Sequence, residues 1–168
     1  MSDLGAGYIE IGGDVSRENL TKLIQALQND NPSIGLNFEL EMSIENEADL
    51  LAVLDDDGTL TLSDAEAVGG MFMEIEKVLV DLKMDFDRHS DALYESDSEF
   101  SKCRNGVLYG YYANQNGDQI LIPANALKEA FGENLERLMD TDKENIVNIL
   151  RSLSGLNHPK IRPLKIID

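Results

Sequence analysis

The spacing of apolar residues predicts a strand, a helix and a second strand in the first 42 residues. Residues 7–12 are predicted to form a short strand that ends in a Gly-Gly turn. A helix is predicted to follow Ser16, which suits an N-cap. Its apolar side chains recur at intervals of three and four, namely Leu20, Leu23, Ile24 and Leu27. Residues 35–42 alternate apolar and polar side chains, which is typical of a half-buried strand. The first unit is therefore predicted to be β-α-β.

The next segment can be interpreted in two ways. Residues 50–54 fit either a buried strand or one face of a short helix. The Asp-rich turn at residues 55–58, followed by alternation at 59–62, favours a hairpin. A helix is predicted over residues 64–83, although two glycines weaken its first turns, and a strand over 84–88. This order of elements is compatible with a ferredoxin-like arrangement.

The second half is predicted to hold one hairpin and two helices. Residues 89–100 are polar and acidic and are predicted to be a loop or an exposed edge. The hairpin joins a Tyr-rich strand over 107–113 to a return over 119–123 through an Asn-Gly turn. The helices cover 124–139, with an interruption at Gly132, and 142–153. The last segment, residues 160–167, is predicted to be extended.

The predicted fold class is α+β, with a mainly antiparallel sheet, β-α-β units and helices packed on one face. The length of 168 residues suits a single compact domain. An alternative is two lobes, an acidic β-α-β lobe over 1–88 and a hairpin with helices over 101–168. About 42% of the residues are hydrophobic, which is enough to build a core.

Cysteine usage and hydropathy limit the classes of protein further. A single cysteine, Cys103, makes no internal disulfide and is predicted to be a small buried side chain. Residues 1–7 carry no basic stretch followed by an apolar run, so no secretory signal is expected. No apolar stretch approaches the roughly 20 residues that a membrane span needs. We expect a cytoplasmic protein.

The charge is unevenly distributed along the chain. The net charge is −18. Residues 1–100 hold 24 acids and five bases, a net of −19, whereas residues 101–168 hold eight acids and nine bases, a net of +1. Such a field repels nucleic acid and anionic membranes and attracts basic proteins or cations. A surface adapted to high salt should be acidic throughout, and this one is not. Solubility alone is the alternative explanation.

Many of the acids are spaced two residues apart. In an extended chain this places carboxylates on one face, roughly 6.6–6.8 Å apart, as in the charge pattern of a nucleic-acid backbone. Such neighbours repel one another and would be relieved by Lys or Arg of a partner. The predicted partner-binding residues form a main cluster of Asp85, Asp87, Asp91, Glu95, Asp97 and Glu99, and a second cluster of Glu39, Glu41, Glu45, Glu47 and Asp49.

Other groups of residues give weaker indications of a binding or catalytic site. Residues 53–64 partly match a calcium-binding loop, but Val53 supplies no side-chain oxygen at the first position, so a turn is favoured. His89 lies among carboxylates, which should help it to hold its proton. His89 and His158 are the two histidines of the chain, and so few histidines argue against a zinc enzyme. His158 is expected in a loop. The tyrosines of 107–113 lack interleaved Arg or Lys, which favours sheet packing or a dimer contact over RNA binding.

These features predict a non-enzymatic acidic binding protein, without a cofactor or a metal, that engages a basic nucleic-acid-handling partner. By analogy of charge, its form would be a nucleic-acid mimic, such as an anti-CRISPR-type inhibitor from a phage or mobile element, or a toxin-immunity protein. The alternatives are a small metal-dependent enzyme or regulator that uses carboxylate-rich loops, and an accessory subunit of a larger complex. A homodimer is also compatible with the sequence.

Overall fold

The structure is a computed structural model of the chain that describes residues 4–38, 43–91, 98–114 and 120–168. Among these residues the strands are β1 (Leu4–Gly12), β2 (Asp14–Ser16), β3 (Ser33–Ile34), β4 (Leu60–Val68), β5 (Asp85–Ser90), β6 (Glu99–Arg104), β7 (Val107–Ala113), β8 (Ile120–Leu121) and β9 (Lys165–Ile167). The α-helices are α1 (Arg17–Asp30), α2 (Glu47–Ala52), α3 (Met73–Asp81), α4 (Ala124–Phe131) and α5 (Lys143–Leu153). The predicted α+β class is confirmed.

Seven strands form one antiparallel sheet in the order β3-β4-β1-β5-β6-β7-β8. Its first part has a ferredoxin-like layout, because β1, α1, β3, β4, α3 and β5 follow in the chain while their strands lie in the order β3-β4-β1-β5. Strands β6 to β8 extend this sheet without a break. A separate two-stranded sheet pairs β2 with β9 in parallel, so the end of the chain returns to its beginning.

The core lies between the sheet and the helices α1 and α3. Residues that face each other across antiparallel strands share one side of the sheet. On the helix side, Ile9 of β1 lies between Leu62 and Arg88, and Ile11 lies between Leu60 and Phe86. These apolar side chains pack with the inner residues of the two helices, chiefly Leu20, Leu23, Ile24, Leu27, Ile75 and Leu79. We call this side the helix face and the opposite side the outer face.

Several predicted elements were correct. Strands β1, β5 and β7 and helices α1 and α5 lie where the patterns predicted them, and Ser16 does cap α1 by accepting from the Asn19 N–H. The interruption at Gly132 is also confirmed, because α4 ends there and a short 3₁₀ turn follows at Glu136–Leu138. Cys103 is buried in the core, as expected.

Other elements were predicted wrongly. The segment before the Asp-rich turn is helix α2, capped by Asn46, and so the turn does not close a hairpin. The predicted strand over 35–42 is absent from its described residues 35–38, since the chain leaves the extended conformation at Gly35 and Phe38; the strand here is Ser33–Ile34, which lies before the predicted range. Residues 39–42 are outside the described part. The predicted loop over 89–100 in fact contains the end of β5 and the start of β6.

The first five residues of the predicted helix over 64–83 belong to a strand. Strand β4 continues to Val68, and α3 begins only at Met73. Gly69 and Gly70 both have positive φ, at 62° and 65°, a conformation that ends a strand and that side chains rarely adopt. The predicted helix therefore began too early, because the apolar spacing of α3 was extended to residues that precede this helix.

Gly70 offers a test of this turn. We expect Gly70→Ala to lose about 3 kcal/mol of unfolding free energy, because it adds a clash with Ser90 Cβ to the cost of positive φ. Gly35→Ala is the matched control, since Gly35 also has positive φ, at 81°, but a Cβ there would meet nothing within 4 Å. It should lose only about 1 kcal/mol. Equal losses in urea unfolding would contradict the close packing of the turn on β5.

Candidate functional site

A row of rings crosses the outer face of the sheet. The strand register places Tyr8 opposite His89, His89 opposite Phe100, and Phe100 opposite Tyr111. The ring centroids of Tyr8 and His89 are 6.1 Å apart, and those of His89 and Phe100 are 4.4 Å apart and nearly parallel. Phe38 adds a further ring 5.4 Å from Tyr8. The rings stack on or tilt against one another across the strands, and each is only partly buried.

A row of charged residues runs beside the rings. Here Glu10 lies opposite Asp87, and Asp87 lies opposite Lys102. Asp87 is neutralised twice, by Lys102 Nζ at 3.0 Å and by Arg104 Nη1 at 2.8 Å. Glu10 has no such cation among the described residues, and its carboxylate accepts a hydrogen bond from the Thr59 hydroxyl at 2.9 Å.

These two rows line a groove of about 330 Å³, which Leu36 borders. A second depression of about 460 Å³ shares Glu10 and Asp87 with the groove and is also lined by Asp57 and Lys160. Together they place aromatic rings and carboxylates along one concave path over the outer face. We refer to the first of them, lined by Tyr8, Glu10, Leu36, Asp87, His89, Phe100 and Lys102, as the outer groove.

His89 in this groove has a mostly buried side chain, 28% of which is exposed. Burial lowers the pKa of His89, and the charge of Arg88 acts in the same direction, whereas Asp91 raises it. The Asp91 carboxylate is 4.0 Å from His89 Nδ1 and is too far away to reverse the effect. The Asp91 carboxylate thus acts in the expected direction, but burial outweighs it, so that the pKa of His89 is lowered and not raised. Its Nε2 atom is buried and has no hydrogen-bond partner within the described residues.

The main cluster of predicted partner-binding residues is divided by the structure. Asp85 is buried and binds Arg162 Nε at 2.8 Å, and it also accepts from the backbone N–H of Asn105. Asp87 is paired as described above. Asp91 is exposed beside His89, with 49% of its side chain accessible. Glu95 and Asp97 lie outside the described residues.

Glu99 points away from these carboxylates. It lies opposite Ser90 on the helix face, where its carboxylate is 3.2 Å from Arg88 Nη2. Arg88 is only 3% exposed and also contacts Glu76 at 3.1 Å and the Ser101 hydroxyl at 2.8 Å. Burial raises the pKa of Glu76 in spite of the opposing charge of Arg88. Glu99 is therefore the partly exposed member of an ion cluster around the buried Arg88 beside α3.

The second predicted cluster surrounds the start of α2. Glu47 pairs with Arg17 Nη1 at 2.6 Å. Asp49 accepts from the Glu45 N–H at 3.0 Å and from the Asn46 side chain at 2.7 Å, so it stabilises the start of its own helix. Glu45 is exposed. Glu39 and Glu41 are outside the described part of the chain.

The predicted carboxylates were expected to share one property, the absence of a cation within the protein, and they do not. The expectation that they have no internal cation does not hold for Asp85, Asp87, Glu99 and Glu47. The partners come mainly from distant parts of the chain. Arg162, for example, lies 77 residues after Asp85. Glu10, Glu45 and Asp91 have no Lys or Arg partner at ion-pair distance among the described residues, and Glu10 was not predicted as a site residue.

The remaining candidate motifs have structural roles. Both carboxylate oxygens of Asp55 accept hydrogen bonds inside its own turn, from the backbone of Asp57 and Thr59 and from the hydroxyls of Thr59 and Thr61. Burial alone would raise the pKa of Asp55, but these hydrogen bonds outweigh it and lower the pKa. His158 lies over Tyr109, with ring centroids 4.3 Å apart, and its Nε2 is 2.6 Å from the Tyr111 hydroxyl.

Two further properties of the described residues concern metal ions and membranes. Their His, Cys, Asp and Glu side chains form no group of three or more that could hold a metal ion. None of their helices has the length and apolar character needed to cross a bilayer. Compared with known protein families, curated proteins and solved structures, the chain shows no match.

Asp85 is the first residue whose role can be tested by substitution. Burial would raise its pKa, but the hydrogen bonds from Arg162 and Asn105 lower it. A carboxylate with a lowered folded-state pKa stabilises the protein above its unfolded pKa and loses that effect as the pH falls. We expect Asp85→Asn to cost about 2 kcal/mol at neutral pH and little in acid, where the native Asp85 is itself protonated. Denaturant unfolding at several pH values measures this.

The control for that measurement is Asp81→Asn, since Asp81 is an exposed acid of α3. It should leave the unfolding free energy within about 0.5 kcal/mol of the native value. A loss for Asp85→Asn that is the same at all pH values would contradict the ion pair with Arg162.

Arg88 is the second residue whose role can be tested by substitution. Removing its charge by Arg88→Met leaves Glu76 buried without its cation, and we expect a loss of about 3 kcal/mol at neutral pH. The pKa of Glu76 is already raised and would rise further, so its protonation should restore part of the stability as the pH falls. Arg151→Met, at an exposed position of α5, should change little. A loss in Arg88→Met that grows on acidification would refute this account.

Proposed function

We propose that this chain is an acidic binding protein that engages a basic protein partner through the outer groove. The observation that carries the proposal is the combination, in one concave path, of aromatic rings with the carboxylate of Glu10, which no Lys or Arg neutralises among the described residues. Asp91 adds a second exposed carboxylate beside His89. Tyr, Phe and other large rings are typical of the centre of protein interfaces.

The net charge of −18 supports the same partner class. A strongly anionic protein attracts cationic surfaces over distances of about 10 Å at moderate salt and repels nucleic acid. Nucleases and other nucleic-acid-handling proteins present such cationic surfaces, because they bind phosphates with Lys and Arg. An inhibitor of a protein of this kind is the form of the proposal that fits the charge best.

Mimicry of a nucleic-acid backbone is a narrower idea and has less support. A mimic needs a row of unpaired charges at regular spacing. The described members of the predicted row include Asp85, Asp87 and Glu99, and all three are paired within the protein. The proposal therefore rests on the outer groove and not on that row.

The test uses a panel of purified basic nucleases and nucleic-acid-binding proteins, with neutral proteins of similar size for comparison. We expect a basic member to bind with an affinity that falls several-fold between about 50 and 200 mM salt. The double variant Glu10→Gln/Asp91→Asn should weaken that binding about tenfold, since it removes two contacts worth up to about 1 kcal/mol each. Biolayer interferometry across the salt range measures both effects.

The matched control is Glu129→Gln/Glu144→Gln, which makes the same change of net charge at exposed positions of α4 and α5. It should alter the affinity far less than the outer-groove variant. Binding that is indifferent to salt would defeat the electrostatic proposal. Equal effects of the two double variants would place the interface elsewhere than the outer groove.

A further inference from the structure

Strand β7 turns half of its backbone hydrogen-bonding groups away from β6. The hairpin of these two strands turns at Asn105 and Gly106, whose φ angles of 51° and 79° are typical of a two-residue type I′ turn. In such a hairpin the two residues that flank the turn bond to each other, and bonded pairs then alternate along the ladder. The N–H and C=O groups of the odd-numbered residues of β7 therefore point towards β6, and those of the even-numbered residues point away from it.

Only one end of this outward row is paired with another strand. Strand β8 pairs with Tyr112 and Ala113. The outward groups of Leu108 and Gly110 have no strand beside them in the described part of the chain, and both residues are exposed. Unpaired groups of this kind are a template on which another strand can bind. We call residues 107–111 the open edge.

The open edge lacks the features that usually protect such a position. Native proteins protect sheet edges with charged side chains, with proline or with very short strands. Residues 107–111 contain no charged residue and no proline, and Leu108 is 54% exposed. At the opposite side of the sheet, β3 has only two residues, and β4 carries Asp64 and Glu66 beyond the end of β3. That side of the sheet is therefore protected, and the open edge is not.

We propose that two copies of this chain form a dimer by antiparallel pairing of their open edges about a two-fold axis at Tyr109. In this register Leu108 of each copy lies opposite Gly110 of the other, and each such pair exchanges two backbone hydrogen bonds. Val107 of each copy lies opposite Tyr111 of the other, and pairs of β-branched and aromatic residues stabilise antiparallel strands. The dimer is independent of the proposed function, because the outer groove is not part of the open edge.

The length of the open edge favours a second copy as its occupant. The free stretch is limited by the turn at Gly106 on one side and by the pairing of Tyr112 with β8 on the other. A second copy has the same limits, so its five residues fit the five available, and its own turn ends the strand where β8 begins. A two-fold contact of this kind uses both open edges and closes on itself, which gives a dimer and not a fibre.

The charge of the open edge favours the same occupant. The net charge of the chain is −18, but residues 101–168 hold a net of only +1, and the open edge itself is neutral. Two copies can therefore approach each other here with less repulsion than at the acidic half of the chain. A basic partner finds no carboxylate on this stretch.

The first test is the mass of the unaltered protein in solution, measured by sedimentation up to millimolar concentration. We expect a reversible dimer, and a monomer at every concentration would overturn the proposal. Hydrogen exchange then locates the contact. The amides of Leu108 and Gly110 should exchange more slowly as the dimer forms, whereas that of Tyr109 points towards β6 and should change less. A dimer in which Leu108 and Gly110 exchange as fast as in the monomer would refute the proposed pairing.

The second test is Leu108→Lys, which places two ammonium groups near each other, because the two Leu108 side chains lie diagonally across the axis. We expect the dissociation constant of the dimer to rise about tenfold or more. Leu51→Lys is the matched control, since Leu51 is an exposed leucine of α2, and it should leave the dimer unchanged. Circular dichroism checks that both variants fold. Equal dimerisation of the two variants would contradict the contact at the open edge.

The salt dependence separates the dimer from the proposed function. Each copy carries a charge of −18, so added salt screens the repulsion between the copies. The dimer should therefore tighten between about 50 and 200 mM salt, whereas binding of a basic partner should weaken. A dimer that dissociates as the salt concentration rises would be held by ion pairs, and the pairing of neutral edges would then be wrong.

Discussion

The antiparallel register that joins β1, β5 and β6 determines where every important side chain of this protein lies. Because side chains alternate along a strand, Phe86 and Arg88 of β5 enter the helix face, while Asp87 and His89 project onto the outer face. The same register places Phe100 beside His89 and Lys102 beside Asp87. A shift of one residue in any of these pairings would bury the charges and expose the core.

The uneven distribution of charge along the sequence corresponds to ion pairs within this fold. The first hundred residues carry a net of −19, and the remaining ones a net of +1. Lys102 and Arg104 of β6 neutralise Asp87, and Arg162 near the end of the chain binds both Asp85 and Asp14. The second half therefore supplies cations to the first. The Arg162 carbonyl also accepts a hydrogen bond from the Gly13 N–H, and the Gly13 carbonyl accepts one from the Lys165 N–H, which fixes this return of the chain beside β1.

Local patterns predicted most elements but not their pairing. The Tyr-rich run over 107–113 before an Asn-Gly turn and the Ser16 cap of α1 are local signals, and they placed those elements correctly. The i, i+2 spacing also correctly placed Asp85 and Asp87 on one face. The cations that neutralise them come from β6 and from a position 77 residues away, which no local pattern shows. The aromatic row was missed for the same reason, because its rings come from β1, β5, β6 and the segment before residue 39.

The contrast between paired and unpaired acids is what makes the outer groove a candidate site. A buried or half-buried carboxylate is costly without a donor, and this protein supplies one to Asp85, Asp87, Glu99 and Glu47 from its own Arg and Lys. Glu10 shares a single hydroxyl proton with Asp55, and the buried Nε2 of its neighbour His89 has no partner among the described residues. Both groups border one groove, but only the carboxylate of Glu10 is open to a donor from another molecule, because the Nε2 atom of His89 is buried. The proposal that a basic partner binds here therefore depends on that one partly exposed carboxylate and on the rings beside it.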